Sequence, residues 1–211
     1  MENRKHKNFF IGLSLGTSSN YDSGIAVLDE NLNIVLLDKL YSNEDITAFF
    51  KNFNSVQNSV IAVSLPDDNS LLEGRWRIQA KNYKTIEEFE INANDWTNRI
   101  SKRNCELFLD LKLEGCDIFR YFNFQLREVY NLSPHSRERT SLDCKSFQTS
   151  LKVKFGFDLP ENMLPASNLE ALLGAVFARD IYLGVMTQGA TGARTKKIAE
   201  FCDLDVLQKI L

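Results

Sequence analysis

Two short apolar segments, each interrupted by a serine, constrain the fold of this chain more than any other feature. The first covers residues 9–16 and leads through a turn into a second apolar run at 24–28. The other covers residues 60–65 and is apolar except for its serine, as expected for a central strand that is covered on both faces. These patterns predict a sheet whose core strands carry Ser14 and Ser64.

The neighbouring segments extend this sheet. Residues 9–16, 24–28 and 33–40 are predicted strands, and the short Ser-, Asn- and Asp-rich turns between them force antiparallel pairing. A helix is predicted from Glu44 to Phe53, because its apolar residues recur on one helical face. An antiparallel meander, a crossover helix and a central strand together predict an α/β fold, a mixed sheet with helices on both faces.

The rest of the chain is predicted to complete one domain with an inserted subregion. Further predicted elements are a strand within Phe122–Tyr130 and helices at Leu142–Phe155 and Leu169–Leu183. The predicted boundaries are a flexible, solvated N-terminal tail at 1–8, a domain at 9–185 with an insertion at about 67–115, and a C-terminal loop and short helix at 186–211.

Composition excludes several classes of protein. The chain has 211 residues, 44% of them hydrophobic, so it can bury a sizeable core. No apolar run approaches the ~18 residues of a membrane span. The net charge of -3 argues against tight, nonspecific binding to nucleic acid. Four widely spaced cysteines without a Cys-x-x-Cys motif favour a reduced, cytoplasmic protein, and two histidines are too few for a His-rich metal site.

The motifs, in their order along the chain, resemble one family. The matching segments are Gly12–Gly16, Ile61–Pro66, Arg127–Tyr130, Lys145 and Leu169–Leu172. They are similar to the domain-of-unknown-function family 429, a predicted nuclease branch of the ribonuclease H-like superfamily. The resemblance spans roughly residues 9–185 and implies a ribonuclease H-like sheet.

The resemblance also implies chemistry, namely a nuclease that hydrolyses phosphodiesters with Mg²⁺ or Mn²⁺ held between carboxylates. The family's aspartates fall on Ser14 and Ser64, its helix aspartate on Glu170, and a further acidic position on Ser167. Glu128, at the end of the predicted later strand, is a fourth candidate.

Two serines in place of two aspartates argue against that chemistry. A hydroxyl is a neutral, weak ligand, so binding of two metal ions should fall steeply. The chain is therefore predicted to be a catalytically impaired relative that retains weak nucleic-acid or protein binding. In an active protein, Glu128 and Glu170 would hold the surviving metal ion and Lys145 would contact phosphate.

Each of these residues also has a plainer interpretation. The serines can fill a former metal cavity and bond to each other or to water, and Glu128 can be a solvated strand end. Glu170 can interact with the dipole at the start of its helix, and Lys145 can lie on a polar helix face.

Two other functions stay open at this point. Residues 12–19 resemble the first phosphate loop of the actin, hexokinase and heat-shock-chaperone superfamily, which would make the chain a nucleotide-binding, kinase-like protein. That superfamily needs a second domain and a second phosphate loop, and the chain has neither motif nor length for them. The other alternative is a non-enzymatic interaction module that uses the insertion at 67–115 to bind a protein. The oligomeric state is not predicted.

Overall fold

The computed structural model describes residues 7–15, 23–53, 58–64, 117–121, 123–133, 140–185 and 200–201. The strands in these ranges are β1 (Phe9–Ser14), β2 (Ser23–Asp29), β3 (Ile34–Leu40), β4 (Ser59–Ser64), β5 (Asp117–Tyr121) and β6 (Glu200–Phe201). The helices are α1 (Asn43–Asn52), α2 (Asn123–Val129), α3 (Ser141–Phe155) and α4 (Ala166–Tyr182).

The strands form one mixed sheet in the order β3-β2-β1-β4-β5-β6. β2 is antiparallel to both β1 and β3, whereas β4 is parallel to β1 and to β5. β6 is antiparallel to β5. The predicted α/β class, the antiparallel meander and the central position of the 60–65 strand are confirmed.

The two faces of the sheet carry different helices. Phe9 packs edge-on against Phe53, which caps the C-terminus of α1, with ring centroids 5.5 Å apart. The next residue of β1, Phe10, packs against Tyr182 at the end of α4. Successive side chains of a strand point to opposite faces. Therefore α1 and α4 lie on opposite faces, as the sequence predicted.

Helix α4 lies directly on the backbone of the sheet at two glycines. A Cβ at Gly12 would overlap the carbonyl oxygen of Ala171, and a Cβ at Gly24 would overlap the carbonyl oxygen of Ser167. This contact is consistent with a helix in which nearly every residue is buried, since an all-round apolar helix requires cover on all sides. The close approach fixes where the first turns of α4 lie over β1 and β2.

One predicted element is wrong. Residues 123–129 form α2 and not a strand, and the strand before them, β5, ends at Tyr121. Leu126 and Tyr130 are both buried, which is the i, i+4 spacing of a helix face as well as the alternation of a strand. Because a short apolar run fits both periods, the sequence did not distinguish a strand from a helix here, and the structure shows a helix.

The structure describes a few residues of each terminal segment, and these form backbone hydrogen bonds to other described residues. Within the predicted tail at 1–8, the Lys7 amide donates to the Tyr182 hydroxyl and the Asn8 amide to the Asn58 carbonyl. Of residues 186–211, the structure describes Glu200–Phe201, which form β6. The predicted insertion at 67–115 lies outside the described residues.

Candidate functional site

The candidate site lies where β1 ends beneath the second turn of α4. Ser14 is the last residue of β1, and its hydroxyl donates a hydrogen bond of 2.8 Å to Glu170 Oε2. Both side chains are buried, with only 4% of Ser14 and 2% of Glu170 exposed. Two residues that are 156 positions apart in the sequence, and that were both predicted to belong to the site, are therefore in direct contact.

Ser64 ends β4 at the same edge of the sheet. The parallel register pairs Leu13 with Val63, and Ser14 and Ser64 are the next residues of these two neighbouring strands. Ser64 is half-buried, and its partner on β5 is Tyr121. The Tyr121 hydroxyl donates 3.0 Å to the backbone carbonyl of Glu170. Burial, followed by the charge of Glu170, raises the pKa of Tyr121 well above its ordinary value, so this phenol stays a neutral donor.

A buried arginine on α2 forms an ion pair with α3. Arg127 lies on α2 with 2% of its side chain exposed, and its Nη1 atom is 3.2 Å from Asp143 Oδ1 on α3. The guanidinium carbon lies 3.6 Å from the centre of the Phe147 ring. Burial lowers the pKa of Arg127, while the charges of Asp143 and Glu170 act in the opposite direction. Even a lowered arginine pKa leaves the group charged at neutral pH.

Two of the predicted site residues lie elsewhere. Glu128 was predicted at a strand end, but it is an exposed residue of α2, next to Arg127 and pointing away from the buried face. Lys145 is exposed on α3. Ser167 lies in the first turn of α4, where its backbone carbonyl faces Gly24. Glu170 is thus the one predicted acid that the described structure buries beside Ser14.

Three residues of the site were missed by the sequence analysis: Tyr121, Arg127 and Asp143. The signal for Arg127 was present, since a helix through Leu126 and Tyr130 places residue 127 on the same side and residue 128 opposite. Asp143 had a signal as a residue of the first turn of α3, three positions after its N-cap Thr140. That position is usual for an acid with a purely local role, and it did not suggest the ion pair.

These side chains do not fit a two-metal site. Hard divalent cations need several anionic oxygens, whereas Ser14 and Ser64 offer neutral hydroxyls and Glu170 a single carboxylate. In the part of the chain that the structure describes, no three His, Cys, Asp or Glu side chains are grouped as a metal site requires.

Comparison with known proteins adds no assignment. No protein-family model matches the chain, and no curated protein matches it significantly. Among the described helices, none is both long and apolar enough to cross a membrane.

Proposed function

We propose that this chain is a divergent ribonuclease H-like protein, related to the predicted nuclease family that its motifs resemble, in which metal-dependent catalysis is impaired. The sheet supports this proposal. An antiparallel meander of three strands, continued beside β1 by parallel strands, is the plan that the family resemblance implies. The late helix α4 then crosses β1 with its acid above the strand end, as that resemblance requires.

The hydrogen bond from Ser14 to Glu170 is the observation that carries the proposal. In a metal-dependent nuclease, the corresponding positions hold two carboxylates that a cation keeps together. Here a hydroxyl donates directly to the remaining carboxylate at 2.8 Å, so the two positions are joined without a cation. This donor offsets part of the cost of burying the carboxylate, as a metal ion would in an active site.

The proposed function is therefore binding by a former nuclease scaffold in the cytoplasm, with a nucleic-acid strand as the first ligand class to examine and a protein as the other. The net charge of -3 favours a weak, salt-sensitive nucleic-acid complex over a tight one. If any hydrolysis persists, Mg²⁺ or Mn²⁺ is the expected cofactor and a phosphodiester the expected substrate.

Calorimetric titration with MgCl₂ and with MnCl₂ tests the loss of the metal site. We expect negligible heat of binding for the natural chain and saturable binding for the Ser14→Asp/Ser64→Asp variant. Adding Glu170→Gln to that variant should abolish the gain, because the third carboxylate is then neutral. Tight binding of either ion by the natural chain would contradict the proposal.

A nuclease assay completes the test. Single- and double-stranded DNA and RNA are incubated with the natural chain in each metal, with Glu170→Gln as the matched variant. We expect no hydrolysis above that of Glu170→Gln. Hydrolysis that Glu170→Gln removes would show an active enzyme, and saturable ATP binding that protects against heat would favour the kinase-like alternative instead.

A further inference from the structure

Strand β3 forms the edge of the sheet in the described part of the chain, where β2 is its one neighbouring strand. Most of its residues are large aliphatic ones, namely Ile34, Val35, Leu36, Leu37 and Leu40. The backbone amides and carbonyls on the outer side of an edge strand can pair with another strand. The strand is therefore a template for pairing with the same strand of a second copy of the chain.

A bulge shortens the part of β3 that can accept another strand. The register between β2 and β3 shifts by one residue at Val35, which the pairing skips. Val35 is also 51% exposed. A bulge bends its strand and increases the local twist. The regular part of the edge is thus residues 36–40, and Asp38 is its middle residue.

The carboxylate of Asp38 occupies a backbone donor of this regular part. Asp38 is exposed, and its Oδ1 atom accepts a hydrogen bond of 2.8 Å from the Lys39 amide. Alternate amides of an edge strand point away from the neighbouring strand, while the others donate to it. We assign the Lys39 amide to the outer set because it donates to a side chain. A strand that adds to β3 would have to displace the carboxylate to use this donor.

The same carboxylate opposes pairing between two copies. In a two-fold antiparallel pair of identical strands, the register that overlaps residues 36–40 completely places Asp38 opposite Asp38 of the second copy. Like charges directly opposite each other destabilise a pair of strands. Lys39 does not lie between these carboxylates, because successive side chains of a strand point to opposite faces.

We infer that Asp38 prevents the β3 edge of the sheet from pairing with a second copy of this chain. It acts in two ways, since it occupies an outer amide and places two negative charges at the centre of the complete register. The inference goes beyond the proposed function and does not depend on it. Strand β3 is separated by β2 from β1, which carries Ser14.

Sedimentation velocity at a series of protein concentrations tests the inference. Asp38→Val removes both the charge and the acceptor, and it introduces a residue that favours strands. We expect this variant to form a species of twice the natural mass, at concentrations at least about tenfold below any at which the natural chain does so. The same mass for both proteins at every concentration would overturn the inference.

Asp158→Val is the matched control, because it makes the same replacement at an exposed position between α3 and α4. Its mass should equal that of the natural chain. Association of Asp158→Val as strong as that of Asp38→Val would overturn the inference, since any exposed valine would then have the same effect.

Lys39→Pro in the Asp38→Val background locates the interface. Proline lacks the amide that an added strand would bond, and an edge strand tolerates it where that amide points outward. The double variant should return to the natural mass. A doubled mass that persists with Lys39→Pro would overturn the inference, because the interface would then lie elsewhere.

Residue-resolved amide exchange in Asp38→Thr provides a second measurement if the valine or proline variants do not fold. The amides of Leu37 and Lys39, which alternate on the outer side, should exchange at least about tenfold more slowly at high than at low protein concentration. In the natural chain their exchange should not depend on concentration. Exchange that is independent of concentration in Asp38→Thr, or that depends on it equally in the natural chain, would overturn the inference.

Discussion

The two ends of α4 each bury a carboxylate, and the two carboxylates are stabilised differently. Near the N-terminus, Glu170 accepts from the Ser14 hydroxyl at 2.8 Å. Near the C-terminus, Asp180 accepts from the Tyr130 hydroxyl at 2.7 Å and from Arg179 at 3.3 Å. Ser14 is 156 positions from Glu170 in the sequence, whereas Arg179 is the direct neighbour of Asp180.

The contacts at the two ends of α4 connect the helix to different parts of the fold. Arg179 is partly exposed and also donates to the Glu30 carbonyl, so the C-terminal end joins α4 to the hairpin between β2 and β3. Asp180 also accepts from the Tyr130 hydroxyl, so this end of α4 is joined to the end of α2 as well. Glu170, in contrast, lies where β1 ends, and its hydroxyl donor belongs to the sheet and not to its own helix.

The largest expected effect comes from separating the N-terminal end of α4 from the sheet. Gly24→Ala places a Cβ into the backbone of Ser167 and Asn168, which cannot yield as a flexible side chain would. We expect a loss of about 3 kcal/mol in the free energy of unfolding, measured by urea titration. The Ser14–Glu170 end should loosen, while the Tyr130–Asp180 end stays protected in amide hydrogen exchange.

Gly156→Asn is the control for this substitution. Gly156 has a φ of 73° but open space around its Cβ position, and asparagine tolerates that left-handed conformation. A loss as large as that of Gly24→Ala would show that glycine replacement in general, and not the contact with α4, causes the effect.

Much of the fold could be predicted from the sequence, and the predictions that were wrong have physical causes. The strands of β1, β2 and β4 and the helix α4 follow from apolar runs whose length and turns leave one choice. The position of Glu128 was predicted wrongly because Leu126 and Tyr130 fit the period of a strand and that of a helix alike. When this segment forms a helix instead of a strand, the buried residue is Arg127 and not Glu128. The Arg127–Asp143 pair joins two helices, and no local pattern in either one specifies such a contact.

Removing the hydroxyl of Ser14 should produce the next largest effect. Ser14→Ala leaves Glu170 Oε2 without its donor of 2.8 Å in a site with no access for bulk water. Hydrogen bonds to buried charged groups contribute about 1.5–3 kcal/mol, so we expect a loss of that order in urea unfolding. Thr149→Ala, which removes an exposed hydroxyl from α3, should change stability by less than about 0.5 kcal/mol. Equal effects of the two variants would contradict the importance of the Ser14 contact.

At the other end of α4, Tyr130→Phe should lower the free energy of unfolding by about 1–2 kcal/mol near neutral pH. It should also change how stability depends on pH in the alkaline range. Burial, the charge of Asp180 and the hydrogen bond to it raise the pKa of Tyr130 above 10.0. Above that pH the unfolded chain releases the proton and the folded chain keeps it, so stability falls as pH rises. Tyr130→Phe should therefore decline less steeply between about pH 9 and 11.

Melting curves across that range provide the measurement. Tyr41→Phe is the control, because 62% of Tyr41 is exposed. A Tyr130→Phe protein whose alkaline decline is as steep as that of the natural chain would show that Asp180 is not held by a protonated phenol.

The smallest expected effect concerns Asp29, a half-buried carboxylate that ends β2, and it provides the reference for the two carboxylates of α4. Asp29 ends β2; burial acts to raise its pKa, but hydrogen bonds from the Asn33 side chain and from the amides of Asn33 and Asn31 hold it below 3.8. A lowered carboxylate pKa stabilises the fold above about pH 4, and this contribution is lost as pH falls through the lowered value. Asp29→Asn should lower the free energy of unfolding by less than about 1 kcal/mol near neutral pH, because Asp29 is partly exposed, and should not change it in strong acid.

Urea unfolding at both pH values measures this effect, with the exposed Asp158→Asn as control. A loss of stability that persists in acid would show that the substitution disturbs the hairpin and not only the charge of Asp29.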